Sequence, residues 1–399
     1  MIKKTIKSDK RKGYVLFFVL VAAIIFVLIG VGQLSLGFNS RLLSHKNTFS
    51  MFASQAAQSG IIKTIRNMNN KLAEAKTWNN SFLTSLNVTD MAMPNMDASS
   101  STQISVDNGK IIIQSTGISG GITKTYYAQT QIKSVFDYAI FTDKDITLYP
   151  NSLISGCNTN TGQTDLPIKM ATNSVEEGGV ITLNGAYVNG DVAVGVGGDP
   201  ASVVSSKGTI TGQLTSLDTV MYFPPVYPPA LPAKGSIKGA KVLSAADSGK
   251  YDSISLGNSE VITVSGNVVI DVTGTVDMKN GSAIIVPNGS SLTLYVKGDI
   301  VSYEGADINA TGKAADLTIF AYGPDTQTVE LKAKNDFHGA VYAPKADVGI
   351  KAGGNIYGSF VSERFELKSK SSVIYDYALK DKDQTSSGNY FAITRWWEE

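Results

Sequence analysis

The 399-residue chain holds one cysteine, Cys157, and two histidines, His45 and His338. A single cysteine excludes an intrachain disulfide, and Cys157 is expected to be a buried or lightly exposed thiol. His338 has no second histidine near it and stands two residues before the apolar stretch Ala340–Tyr342. A histidine at a turn is therefore expected there, not a metal ligand. No phosphate-binding loop and no GxSxG elbow occurs. Asp299, Asp307 and Asp316 stand where turns are expected, and aspartate at a turn ordinarily bonds its own backbone. Gly195–Asp199 resembles one turn of a glycine–aspartate calcium loop, but that motif needs tandem copies and here it is single. No residue is assigned a catalytic, cofactor or metal role, and the chain is not expected to be an enzyme.

A strong net charge of either sign is also missing from most of the chain. The net charge of +1 conceals six cations before residue 13 (Lys3, Lys4, Lys7, Lys10, Arg11 and Lys12) against the single acid Asp9. In the remainder acids outnumber bases, so there is no electrostatic footprint for nucleic acid.

A long apolar run comes directly after those cations and organises the chain. From Tyr14 to Gly32 there is no charged or strongly polar side chain, and the run reaches Leu36. Crossing a hydrocarbon core of roughly 30 Å takes about 20 apolar residues in helical form. The cationic flank places the N-terminus on the cytoplasmic side and the bulk beyond an inner membrane. A cleaved signal peptide has a shorter apolar region and ends in a small-x-small site, which Gln33–Gly37 does not supply. A bare anchor shares the same composition.

From Phe49 to Leu72 the pattern becomes one-sided. Phe49, Phe52, Ala53, Ala56, Gly60, Ile61, Ile65, Met68 and Leu72 recur at helical spacing, with Gln55, Gln58, Lys63 and Arg66 opposite. This predicts an amphipathic continuation over 37–72, with Gly37 as its weak point. A single helix from Tyr14 to Leu72 would be roughly 88 Å long.

The segments RKGYVLFFVLVAAIIFVLIG and FASQAAQSGI resemble the N-terminal region of PilX-type type IV pilus assembly proteins. The resemblance covers about fifty residues. It implies cleavage by a prepilin peptidase between Gly13 and Tyr14, and assembly through the helix. Gln55, Ala56, Ala57 and Gly60 match the second motif of that family. The glutamate that major pilins carry at the fifth mature position is replaced by Phe18, and the acidic residue of the second motif is Gln58. Without that glutamate to pair with a neighbour's new amine, the resemblance implies a minor or tip subunit.

Past residue 72 the sequence predicts a linker and short β region over 73–134. Met91–Ser101 with Pro94 is expected to be linker. Asp107-Asn108-Gly109, flanked by Ile104, Val106, Ile111 and Ile113, predicts a β-hairpin. Tyr126–Ile132 and Val135–Phe141 are candidate strands, and this sheet is expected to dock on the amphipathic helix. From Asp145 short alternating strands are punctuated by Gly-Asn and Gly-Asp. Val220–Pro232 carries five prolines and cannot be a central strand, so an extended surface strap is expected.

Offset comparison finds internal repetition. Leu292–Gly298 aligns with Leu317–Gly323 at a shift of 25. Phe337, Gly339, Val341, Ala346 and Val348 align with Ile356, Gly358, Phe360, Phe365 and Leu367 at a shift of 19. Alternating apolar residues such as Val268, Ile270 and Val272 would fill a column if successive units stacked, the logic of a β-solenoid. A β-sandwich is the rival. FDYAIFTDKDITLYPN, YVNGDV, FPPVYPPALP, LTLYVKGDI and FHGAVYAPKADVGIKAGGNIYGSF also resemble a right-handed β-helix domain found behind PilX-type N-termini in bacteria. That resemblance runs over 135–379 and implies a mainly β fold without attached enzymatic activity. Residues 380–399 look like a detached tail ending in Trp396-Trp397, expected to fold back onto the helix or last unit, or to meet a partner.

The function these features predict is a membrane-anchored, pilin-like surface protein displaying a β-helix head. Its expected partners are the inner membrane, other pilin-like subunits and surface or polysaccharide ligands. The alternatives are a carbohydrate-active β-helix enzyme or a binding module on a plain anchor, and a scaffold that polymerises end to end.

Overall fold

The computed structural model describes residues 12–75, 78–107, 109–332, 335–351, 354–381 and 389–399. The chain is mainly β, with one long helix, and divides into two compact units. The first comprises residues up to Arg66, Asn80–Thr130 and Ile393–Glu399; the second comprises Asn67–Asn79 and Gln131–Ala392. The basic leader residues 1–11 lie outside the described residues.

Helix α1 runs from Lys12 to Ala75 without interruption, and Gly37 does not break it. Its 64 residues give a length of roughly 96 Å. Gly37 is tolerated because a lone helix-interior glycine costs only about 1 kcal/mol relative to alanine.

Beside most of α1, the first unit holds the greater part of a sheet of five strands. They are β1 (Val88–Ala92), β2 (Ser99–Asp107), β3 (Lys110–Ser119), β4 (Ile122–Ser134) and, beside β4, the C-terminal strand Asn389–Glu398. β2 and β3 form the hairpin, with Asp107 opposite Lys110 and Gly109 in the left-handed region. Two expectations are corrected here. Met91–Ser101 is not linker, because it contains the end of β1 and the start of β2. No residue of β1 is buried, and the first buried side chains of β2 are the hydroxyls of Ser100 and Thr102, so neither strand shows an apolar alternation here. Nor are residues 380–399 a detached tail throughout. Glu398 meets Lys124 and Thr394 meets Gln129, so the C-terminal strand runs antiparallel to β4. Trp397 stacks on Tyr127 at 5.4 Å, and Trp396 lies 6.3 Å from Tyr126. The two tryptophans therefore meet tyrosines of β4 in the N-terminal sheet.

The second unit is built from parallel strands whose registers continue one another. One column of backbone neighbours reads Thr215, Ala193, Ala171, Phe141, Val361, Tyr342, Phe320, Tyr295, Asp271, Lys250. The shift of 25 is the stacking register itself: Leu292 pairs with Leu317 and Val296 with Ala321. The shift of 19 holds from Phe337/Ile356 to Ala343/Ser362, after which Asp347 pairs with Arg364 and Val348 with Phe365. The alignment of Ala346 and Val348 with Phe365 and Leu367 is thereby corrected. The irregularity falls at Pro344, which has no N–H to give to a ladder. His338 is likewise no turn residue. It lies inside the strand Phe337–Ile350, paired with Tyr357. Val135–Phe141 is not one strand either: Ser134 Oγ accepts from the Phe136 amide and starts a 3₁₀ turn over Val135–Asp137, and the strand begins at Ile140.

Chain order and stacking order differ. The stack starts in its middle at Ile140 and proceeds to the rung 204–216 at one end. It resumes at the opposite end with Ile237–Lys238, and winds back until Phe360 lies on Ile140. The proline segment makes the return journey. Met221 exchanges two hydrogen bonds with Asn173 (3.0 and 2.9 Å), and Phe223 packs edge-on against Phe141 and Tyr342. The Tyr342 hydroxyl donates to Pro224 O at 2.7 Å, and the Lys250 amide donates to Pro232 O at 2.7 Å. Seven rung spacings of ~4.8 Å separate the rung of Asn173 from that of Lys250, roughly 34 Å. Met221 to Ala233 at ~3.1 Å per residue covers roughly 37 Å, so an extended, proline-stiffened backbone has the required reach.

Candidate functional site

Helix α1 carries the chemistry that sets this chain apart. Val15, Leu16, Phe17 and Phe18 are consecutive and each more than 60% exposed, so every side of the helix is bare. Exposed apolar side chains continue to Leu43, and the first charge after Lys12 is Arg41. A helix apolar all round belongs inside a membrane or a protein core. Among the described residues this is the one helix long and apolar enough to cross a membrane.

Further along, the same helix changes character. Ala53, Ala56, Ala57, Gly60, Ile61 and Thr64 are buried, while Met51, Gln55 and Ile62 are exposed. The buried stripe meets β2 and β3 at very short range. A Cβ on Gly117 would overlap the Ala53 carbonyl and reach within 2.6 Å of the Ala57 amide, and one on Gly60 would reach within 2.9 Å of Ser100 Oγ. Small residues on both surfaces let the helix backbone approach the sheet. Ser54 Oγ with Tyr126 (2.7 Å) and Thr64 Oγ1 with Thr102 (3.0 Å) fix the rotation. At the sheet edge Glu398 accepts from Lys124 at 2.6 Å and Tyr126 at 2.8 Å, and these partners hold its carboxyl below the usual range.

The residues singled out from the sequence separate into three groups. Gly13 and Tyr14 lie in the first turn of α1. Phe18 and Gln55 are exposed. Ala56, Ala57 and Gly60 are spent on the chain's own sheet. Gly117, Ser100 and Ser115, the other half of that contact, went unread, although their small side chains at alternate strand positions were the available signal.

The remaining candidates have local duties. Asp299 Oδ1 accepts from the Thr328 amide, and Asp307 takes both the amide and the side chain of Asn335. Asp316 closes a 3₁₀ turn. Asp199 caps the short helix Pro200–Val203 through Ala201 and Ser202, which lowers its pKa. His338 stacks on Tyr357 at 4.5 Å with Nδ1 3.1 Å from Asn309 O, and burial holds its pKa down. Cys157 is buried. A groove lined by Asp145, Glu330, Asp347 and Arg364 is bridged by the guanidinium, 3.2 Å from Asp145 and 3.3 Å from Asp347. Among the described residues no three His, Cys, Asp or Glu side chains are grouped to hold a metal ion.

Comparison with known proteins gives few relations. No curated protein matches the chain. Similar solved structures include two at low TM-score. One is the competence-associated pilin ComZ from Thermus thermophilus, 13% identical over 88% of this chain and 98% of that one, with a TM-score of 0.25. The other is an ice-binding protein from the Antarctic ascomycete Antarctomyces psychrotrophicus, 15% identical over 60% of this chain and 94% of that one, with a TM-score of 0.27. Residues 235–382 match the family described as Domain of unknown function (DUF7305).

Proposed function

We propose that this chain is a membrane-anchored, pilin-like surface protein with a PilX-type N-terminus. It occupies a minor or tip position in type IV pilus or type II secretion-like machinery and displays a right-handed β-helix as its head. The carrying observation is the change of character along α1: bare and apolar on all sides from Val15 to Gly32, then packed one-sidedly on β2 and β3 from Ala53. The first part suits lipid before assembly and neighbouring apolar helices after it. The second holds the subunit's own sheet. The continuous parallel registers of residues 140–376 support the β-helix head.

In this role the cations before Gly13 stay in the cytoplasm, the helix sits in the inner membrane, and the bulk lies beyond it. A prepilin peptidase cuts between Gly13 and Tyr14. Phe18 leaves no carboxylate to pair with a neighbour's new amine, which favours a minor position over bulk filament. The head acts by display and adhesion, not by catalysis, toward surface or polysaccharide ligands.

N-terminal sequencing of the protein from cells with and without the peptidase tests this. A start at Tyr14 in the first and Met1 in the second is expected. Met1 in both would remove the pilin assignment while leaving the anchor. A reporter fused after Leu72 is expected to be inactive in the cytoplasm, and cytoplasmic activity would overturn the orientation.

A further inference from the structure

The two ends of the parallel stack are finished differently. The central inward column reads Leu214, Val192, Met170, Ile140, Phe360, Val341, Ile319, Leu294, Ile270, Gly249. At the Gly249 end the proline strap closes it. Lys234 lays its stem where a Cβ on Gly249 would stand, 2.6 Å away. The strap also takes the outer backbone: Lys250 N donates to Pro232 O at 2.7 Å, Lys234 N to Lys250 O at 2.8 Å, and Asp252 N to Gly235 O at 2.6 Å.

Among the described residues no such strap pairs with the opposite end. Leu214, the last residue of a column otherwise buried, is 41% exposed. Ile210 ends the neighbouring column Ile154–Val188–Ile210 only half-buried. The three strands Val204–Ser206, Thr209–Ile210 and Leu214–Ser216 pair on one side, and among the described residues no strand pairs on the other. The amides of Lys207, Thr209, Thr211 and Leu217 donate inward to the preceding rung. Since amide direction alternates along a strand, those of Ser206, Ile210 and Ser216 face the open side. This rung is otherwise regular, stacked in unbroken register on Ile181–Leu183. An edge of this kind normally carries charge, proline or a covering segment. Between 204 and 216 there is one charge, Lys207, and no proline.

We infer that rung 204–216 is a docking surface for a second copy of this chain, presented through the same rung, so that two stacks join end to end in a closed two-fold dimer. Three short strands around an apolar column need a whole rung as partner, because a single extended peptide would satisfy one strand and leave Leu214 wet. The other end of the stack is already occupied by the strap, which blocks head-to-tail growth and leaves like-with-like pairing. The contact is self-compatible, since its hydroxyl side chains bring no like charges together apart from Lys207. The inference is independent of pilus assembly.

The test is the mass of the full chain in detergent by analytical ultracentrifugation, with circular dichroism melts to verify folding. The wild type is expected to dimerise. Ser206→Pro with Ser216→Pro removes two outward donors, and Ser206→Lys with Thr215→Lys sets like charges across the axis. Each pair is expected to weaken association by about tenfold or more, with salt restoring part of the loss only in the lysine variant. If the proline variant misfolds, the lysine variant decides. A monomeric wild type, a dimer that both folded variants leave unchanged, or assemblies larger than a dimer would each overturn the inference.

Discussion

Ile140 lies directly on Phe360, in parallel register, although 219 residues separate them along the chain. Beside this contact Lys144 pairs with Glu363, and Arg364 reaches Asp145 at 3.2 Å. Here the first and last parts of the parallel stack close on each other. Both apolar side chains are fully buried.

Phe360→Ala would leave a cavity at this closure and is expected to cost about 3–5 kcal/mol. Urea unfolding of the full chain measures it. The half-exposed ion pairs contribute much less, because exposed pairs are typically worth under about 1 kcal/mol.

Two glycine substitutions should differ sharply. Gly117→Ala places a methyl group into the Ala53 carbonyl and the Ala57 amide, and overpacking of this kind costs about 1–3 kcal/mol. Limited proteolysis should then cleave between α1 and the sheet. Gly349→Ala meets nothing within 4 Å and should leave the melt unchanged.

Burial, and secondarily the carboxylate of Asp376, push the Cys157 thiol from 9.0 up to about 11. The folded state therefore holds this proton more tightly than the unfolded chain. The associated stability is complete below about pH 9 and is lost as pH rises toward 11. Alkylation by iodoacetamide at pH 9 should be slow in the folded protein and fast in denaturant. Equal rates would contradict the burial of this thiol.

Tyr342→Phe removes the hydroxyl that donates to Pro224 O and leaves a strap carbonyl without its partner, a loss of about 1–3 kcal/mol. The strap should then become a protease-sensitive site near Pro224 while the rest of the stack resists. Uniform resistance would show that Phe223 alone holds it.

Particular residues show how far the sequence could be read. Leu292 and Leu317 announced their stacking because both rungs are regular, with apolar residues at every second position. The register at Val348 is not legible from spacing, because Pro344 sits at an irregularity between Ala343 and Asp347. Asp107-Asn108-Gly109 identified its hairpin through local turn chemistry. β1 and the start of β2 did not show, since β1 buries no side chain and the first buried side chains of β2 are Ser100 and Thr102. The C-terminal strand was hidden because a strand at the edge of a distant sheet has no local signature beyond its aromatic residues. At α1, Ala56, Ala57 and Gly60 were recognised as a motif, while their contact with Gly117 and Ser100 was not.

The order of amino acids was enough to dictate the apolar helix, the hairpin, the repeating rungs and the unpaired proline segment. Each arises from backbone and hydropathy rules acting over a few neighbouring residues. Folding in three dimensions was needed to settle that Phe360 closes on Ile140, that the strap seals the Gly249 end, and that Leu214 stays open. It also settled that half of α1 is occupied by its own sheet while the other half is bare. These outcomes depend on which surfaces meet across tens or hundreds of residues, where close packing and backbone pairing, not local propensity, select the partner.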